Sequence, residues 1–199
     1  MSIILDYIAS TIMFGILILT VAQIQGNINA NLYQNSFSVR VQTNTVDLAR
    51  QIESDFLKAG NKIGGRKVWY CDTNKFVFVG SLANVTGARD SVEYYTGTTS
   101  EATFSANVND FPLKRRVSGG AILEQQWGLV RFRMTYYDSN NVVIPTPFSD
   151  ATNCNNVRAI KVYLRIEAPE PVVSFSDTQL SAISWEKLIV PRNLNNLYF

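Results

Sequence analysis

Three residues have the type and placement to do chemistry: Asp6, Cys71 and Cys154. Asp6 is a lone carboxylate inside the apolar run "MSIILDYIASTIMFGILILTVAQIQG", with no Lys or Arg before it. A carboxylate at mid-bilayer costs about 2.5–3.5 kcal/mol, and less near the edge. A cation beside it relieves that cost, so its chemistry is ion pairing; the plainer reading puts Asp6 in water at the membrane surface. Cys71 and Cys154 can join as a disulfide if the domain lies outside the cytoplasm. That bond would close a long loop and, in the chain-entropy model, stabilise by up to about 4–5 kcal/mol. Two unpaired thiols, or a bond to another chain, stay open as alternatives. The two are the only cysteines and have no CxxC spacing, which argues against a structural zinc site.

Catalysis finds little support. The chain has 199 residues and no histidine, which removes the commonest general base and metal ligand. The acids Asp72, Asp90, Glu93, Asp110 and Asp138 fall in turns or on strand edges, where surface charges normally sit. None is paired by spacing as glycoside hydrolysis requires. "DTNK" and "DSNN" lack the full calcium loop, and "GSLANVTG" lacks phosphate-loop spacing. Asn84-Val85-Thr86 matches a glycosylation sequon, a pattern too common to carry weight alone. No enzyme activity, cofactor or metal is expected. The net charge of +2 is too weak to point to nucleic acid as a partner, and Lys114, Arg115 and Arg116 read as a solvated strand face.

The elements that position Asp6 begin with the run itself. From Ile8 to Ala22 there is no charge, and with Ile3, Ile4 and Leu5 the run reaches about twenty residues, enough to span a bilayer as a helix. A cleaved signal peptide would need a basic start and a small-residue cleavage site, and both are missing, so a retained segment is expected. The first cation is Arg40, so flanking charge sets no orientation. Beyond the run, Val41, Thr45, Ala49, Ile52, Phe56 and Ala59 recur at three- and four-residue steps, one apolar stripe on a helix. Arg50, Glu53, Asp55 and Lys58 decorate its other positions, and Gly60-Asn61 stops it. One helix from about residue 3 to 59 would be roughly 85 Å long. An anchor and a separate helix jointed at Gly26 is the alternative.

After Gly65 the pattern becomes period two or short apolar runs. Residues 67–70, 75–79, 91–96, 128–137, 158–167 and 186–190 read as strands. "VRFRMTYYD" alternates Val130, Phe132, Met134 and Tyr136 against Arg131, Arg133 and Thr135, a half-buried strand with "VRAIKVYLRI" as its antiparallel partner. "IPTPFSDATNCNN" reads as a surface loop and "PEPVVSFSDTQLSAIS" as an exposed excursion. Three regions follow: 1–26, the apolar half of the helix; 27–61, its amphipathic half; and 62–199, an antiparallel β domain.

A long N-terminal apolar helix feeding an antiparallel sheet resembles the type IV pilin superfamily. "LARQIESDFLKAGN" is similar to the end of the long helix in PilW-like minor pilins. "NKFVFVG", "DSVEYYTG", "PLKRRVSGG", "WGLVRFRMTYYDSNN", "VRAIKVYLRI" and "VPRNL" follow that family's order of strands. J-class pseudopilins of type II secretion share the architecture. The resemblance implies an α+β fold, a long membrane-capable helix packed on an antiparallel sheet. It also implies a structural subunit of a pilus-like filament or pseudopilus whose partners are copies of itself or other pilin-like subunits. Such a subunit sits in the inner membrane with its β domain outside, then passes into an extracellular filament.

Pilins carry a glutamate a few residues into the mature chain, and Asp6 is the candidate for that position, paired with the N-terminal amine of a neighbouring subunit. Loss of Met1, which Ser2 permits, would make Asp6 the fifth residue. No basic leader precedes residue 1 in this sequence, so a processed chain and a chain made without a leader both stay open. Ile8, Ile12, Gly15, Ile16 and Leu19 would pack between helices, and Ala49, Ile52, Phe56 and Ala59 against the sheet. The alternative function is a single-pass membrane protein of an envelope or virion whose β domain binds a partner.

Overall fold

The computed structural model describes residues 2–83, 85–103, 105–170, 172–173 and 178–194; Ser2, 172–173 and 178–179 are described by backbone alone. Asn84 of the sequon and Met1 lie outside the described residues. One helix, α1 (Ser2–Leu57), covers 56 residues, about 84 Å at 1.5 Å per residue. It runs through Gly26 without a break, so the hinged alternative does not hold. Its end tightens as Lys58 and Ala59 donate to the carbonyls of Asp55 and Phe56, and Gly60 follows with φ 74°, a left-handed conformation that suits glycine.

Eleven strands follow among the described residues. They are β1 (Val68–Cys71), β2 (Lys75–Gly80), β3 (Asp90–Thr96), β4 (Leu113–Val117), β5 (Ile122–Gln125), β6 (Leu129–Tyr137), β7 (Val143–Ile144), β8 (Ala159–Glu167), β9 (Val172–Val173), β10 (Thr178–Gln179) and β11 (Ala182–Ile189). A short helix, α2 (Ala151–Asn156), precedes β8. Strands β1 to β5 form an antiparallel sheet in chain order, and β11-β8-β6-β7 form a second. The sheets meet where Cys71 and Phe148 exchange both backbone hydrogen bonds and Met134 N–H donates to the Thr73 carbonyl. This is the architecture the resemblance implies, a long N-terminal helix packed on antiparallel sheets.

The core lies between α1 and the two sheets. Val41, Thr45, Ala49, Ile52, Phe56 and Ala59 are all buried, joined by Leu48. Phe56 sits edge-on to Phe76, Phe78 and Tyr94 at ring-centroid distances of 5.0, 5.8 and 5.5 Å. Burying a side chain of that size stabilises by about 1.5–3 kcal/mol, and edge-to-face contacts add to it. Gly80 lets β2 pass under the helix end: a Cβ there would lie 2.1 Å from the Lys58 carbonyl oxygen.

Several sequence expectations need correction. The segment 144–156 is no plain loop. It starts in β7 and ends in α2, whose N-cap Asp150 accepts a hydrogen bond from the Asn153 N–H at 2.7 Å. The last strand begins at Ala182, four residues before the expected start. A bulge between Leu129 and Arg131 places Leu129 inward and leaves Val130 half-buried. Lys114 and Arg115 are not solvated: Lys114 pairs with Glu101 and Glu124 at 2.7 and 3.1 Å, and Arg115 turns inward to the helix. Arg116 stays half-exposed and pairs with Glu93 at 2.6 Å.

Candidate assembly surface

The first half of α1 stands clear of the domain. Phe37 is the first of its large apolar side chains to pack against the core. Before it, Ile8, Ile12, Ile16 and Leu19 are between 52% and 70% exposed, and Ile3, Leu5, Phe14, Ile24, Ile28 and Leu32 are exposed too. Gly15 lies among them with nothing within 4 Å of the position a Cβ would take. The segment is long and apolar enough to cross a membrane.

Between Ile3 and Ala22 the polar side chains are Asp6, Tyr7, Ser10, Thr11 and Thr20. Ser10 Oγ donates to the Asp6 carbonyl at 2.8 Å, Thr11 Oγ1 to that of Tyr7 at 2.5 Å, and Thr20 Oγ1 to that of Leu17 at 2.8 Å. These hydroxyls satisfy themselves on their own helix and can enter an apolar medium at little cost. The Asp6 carboxylate has no hydrogen bond or ion pair among the described residues. It is the one charged side chain before Arg40. Ser2 lies one helical turn before it on the same helix.

The second half of α1 is locked to the sheet by a residue that pattern reading assigned to the helix's polar positions. Asp55 is 6% exposed. Its Oδ2 accepts from the Tyr94 hydroxyl at 2.6 Å and from Arg115 Nε at 2.7 Å. One carboxylate oxygen thus ties the helix to β3 and β4 at once. Burial, followed by the Asp55 charge, pushes the Tyr94 hydroxyl well above the usual phenol range. Burial opposes the Arg115 charge, but the bond to Asp55 outweighs it and raises its pKa. Nearby, burial opposes ionisation of Glu93, while Lys75 and Arg116 outweigh it and hold the carboxyl below its ordinary range.

Cys71 at the end of β1 and Cys154 in α2 are both buried thiols, hydrogen-bonded to each other. The bond from Cys71 lowers the Cys154 pKa to about 6; burial opposes this, and Arg66 Nη2 at 3.3 Å from Cys154 Sγ reinforces it. Burial, then the bond to Cys154, pushes the Cys71 thiol far above its ordinary value. The two residues lie 83 positions apart (154 minus 71). Among the described residues no group of His, Cys, Asp and Glu is placed to hold a metal ion.

No family model matches the chain, and no curated protein matches it. Among solved structures, the chain is similar to a type IV-like pilin from Thermus thermophilus. The two are 11% identical, and the match covers 79% of this chain and 96% of that one with a TM-score of 0.48.

Proposed function

We propose that this chain is a structural subunit of a pilus-like filament. The first half of α1 holds it in a membrane before assembly and packs against the same segment of neighbouring subunits afterwards. The observation that carries this reading is the bare apolar half-helix, whose serine and threonine side chains between Ile3 and Ala22 are satisfied on the helix itself while Asp6 is its one charged side chain. Single helices in lipid place such a group at an edge or pair it. In a bundle of these helices the N-terminal amine of a neighbour supplies the cation. Ile8, Ile12, Gly15, Ile16 and Leu19 form the contacts between helices, with Gly15 allowing close approach. The β domain forms the outer layer. The Asp6→Ala and Asp6→Glu variants test this, with the amount of chain in sheared filaments as the readout.

The same reading puts the β domain outside the cytoplasm, where Cys71 and Cys154 close as a disulfide. Exchange with oxidised glutathione joins the two sulfurs and releases two molecules of the thiol, with the Cys154 thiolate as the attacking group. Oxidised protein is expected to unfold at a higher temperature than reduced protein, by up to about 4–5 kcal/mol in stability. The Cys71→Ser variant is expected to show no such difference. Thermal unfolding with and without reductant checks this; equal midpoints in the wild type would contradict it.

A further inference from the structure

The outer face of the four-stranded sheet, turned away from α1, gathers cations. Along β6 the outward side chains are Arg131, Arg133, Thr135 and Tyr137, alternating with the core residues Phe132, Met134 and Tyr136. On β8, Arg165 stands directly opposite Arg131, Tyr163 opposite Arg133, and Lys161 opposite Thr135. Lys161 is paired with Glu186 at 2.8 Å, and Arg165 with Glu167 at 2.9 Å. Arg131 and Arg133 make no ion pair or hydrogen bond among the described residues. Like charges directly opposite one another on a sheet cost stability, and no carboxylate is bonded to Arg131 to offset its position across from Arg165. A shallow groove of about 320 Å³ crosses this face, lined by Arg131, Arg133, Tyr137, Lys161, Tyr163 and Glu186.

We propose that this face binds single-stranded nucleic acid. Residues two apart on a strand are separated by about 6.6 Å, comparable to the phosphate step of an extended single strand, so Arg131 and Arg133 can each meet a phosphate. Tyr137 and Tyr163 lie beside them in the groove and offer rings on which bases stack; a basic groove with interleaved aromatics is how proteins hold single strands without reading sequence. The net charge of +2 averages over the whole chain and hides this face, where Arg131, Arg133, Lys161 and Arg165 lie together. An acidic polysaccharide would satisfy the arginines but presents no planar bases to the tyrosines.

The test titrates the full chain, in non-ionic detergent micelles, against fluorescein-labelled oligo(dT) and against a labelled sulfated polysaccharide, by anisotropy over a range of salt. Oligo(dT) is expected to bind. The Arg131→Gln/Arg133→Gln double variant is expected to weaken binding at least tenfold and to flatten the slope of log affinity against log salt by about 1.4, two phosphates at about 0.7 each. Tyr163→Leu is expected to weaken binding about tenfold and leave that slope unchanged. Both arginines are exposed and unpaired, and Arg131 faces Arg165, so the double variant should unfold no lower than the wild type. Failure of the wild type to bind oligo(dT) at low salt would overturn the proposal. Wild-type affinity in the double variant, or tighter binding of the polysaccharide than of oligo(dT), would overturn it too.

Discussion

Asp6→Ala should leave the β domain folded and the chain in the membrane, yet remove it from filaments. The alanine chain no longer carries a charge into lipid, so its membrane anchoring is at least as favourable as before; the change saves up to about 2.5–3.5 kcal/mol, less near the edge. Assembly loses the opposite amount and more, because each neighbour's amine would then be buried without its partner. Removing one member of a buried ion pair costs about 3–5 kcal/mol, which is about two to four orders of magnitude per subunit contact. Asp6→Glu keeps the charge and should restore assembly in large part. The check is the ratio of chain in sheared filaments to chain in membranes. Unchanged assembly of the alanine variant would sink the pairing role of Asp6.

The second large effect is expected at Asp55. Asp55→Ala strands the Arg115 guanidinium and the Tyr94 hydroxyl in the core between helix and sheet. Breaking a buried pair by removing one side costs about 3–5 kcal/mol, or a drop of roughly 6–20 °C in unfolding midpoint for a chain of this size. Tyr94→Phe removes one of the two bonds and should cost less, about 1.5–3 kcal/mol. The Asp55→Leu/Arg115→Met double variant leaves no buried charge unpaired and is expected to be more stable than Asp55→Ala. Thermal unfolding of the full chain in detergent separates these cases. A loss under about 1 kcal/mol in Asp55→Ala would show that the helix is held by apolar packing alone.

The helix was legible in the sequence because both of its halves carry strong local signals. An apolar run of about twenty residues and a stripe from Val41 to Ala59 are patterns that neighbours along the chain create by themselves. Asp55 was not legible, since a charged side chain between stripe positions normally faces water. What buries it is Arg115 and Tyr94, 60 and 39 residues away, and no local pattern announces partners at that distance. The pairing of Lys114, Arg115 and Arg116 is hidden for the same reason: Lys114 and Arg116 meet their acids across strands or from the turn at Glu101, and Arg115 meets Asp55 on the helix.

Strand β5, four residues with three exposed in a row, lacks the alternation that marked the other strands. Helix α2 depends on a single cap at Asp150, a signal present in "SDATN" but too short to outweigh the turn residues around it. The bulge at Leu129–Arg131 moves the first inward position from Val130 to Leu129 and leaves Phe132, Met134 and Tyr136 inward, which alternation alone cannot reveal.

What surrounds the first half of α1 distinguishes a filament subunit from a lone membrane anchor. Electron cryomicroscopy of the native assembly containing this chain measures it directly. The expected result is filaments in which residues 3–36 of neighbouring copies, or of related subunits, bundle at the axis, with Asp6 beside a neighbour's N-terminal amine and the sheets outside. Density showing these residues surrounded by lipid alone, with no helix of another subunit against them, would contradict it.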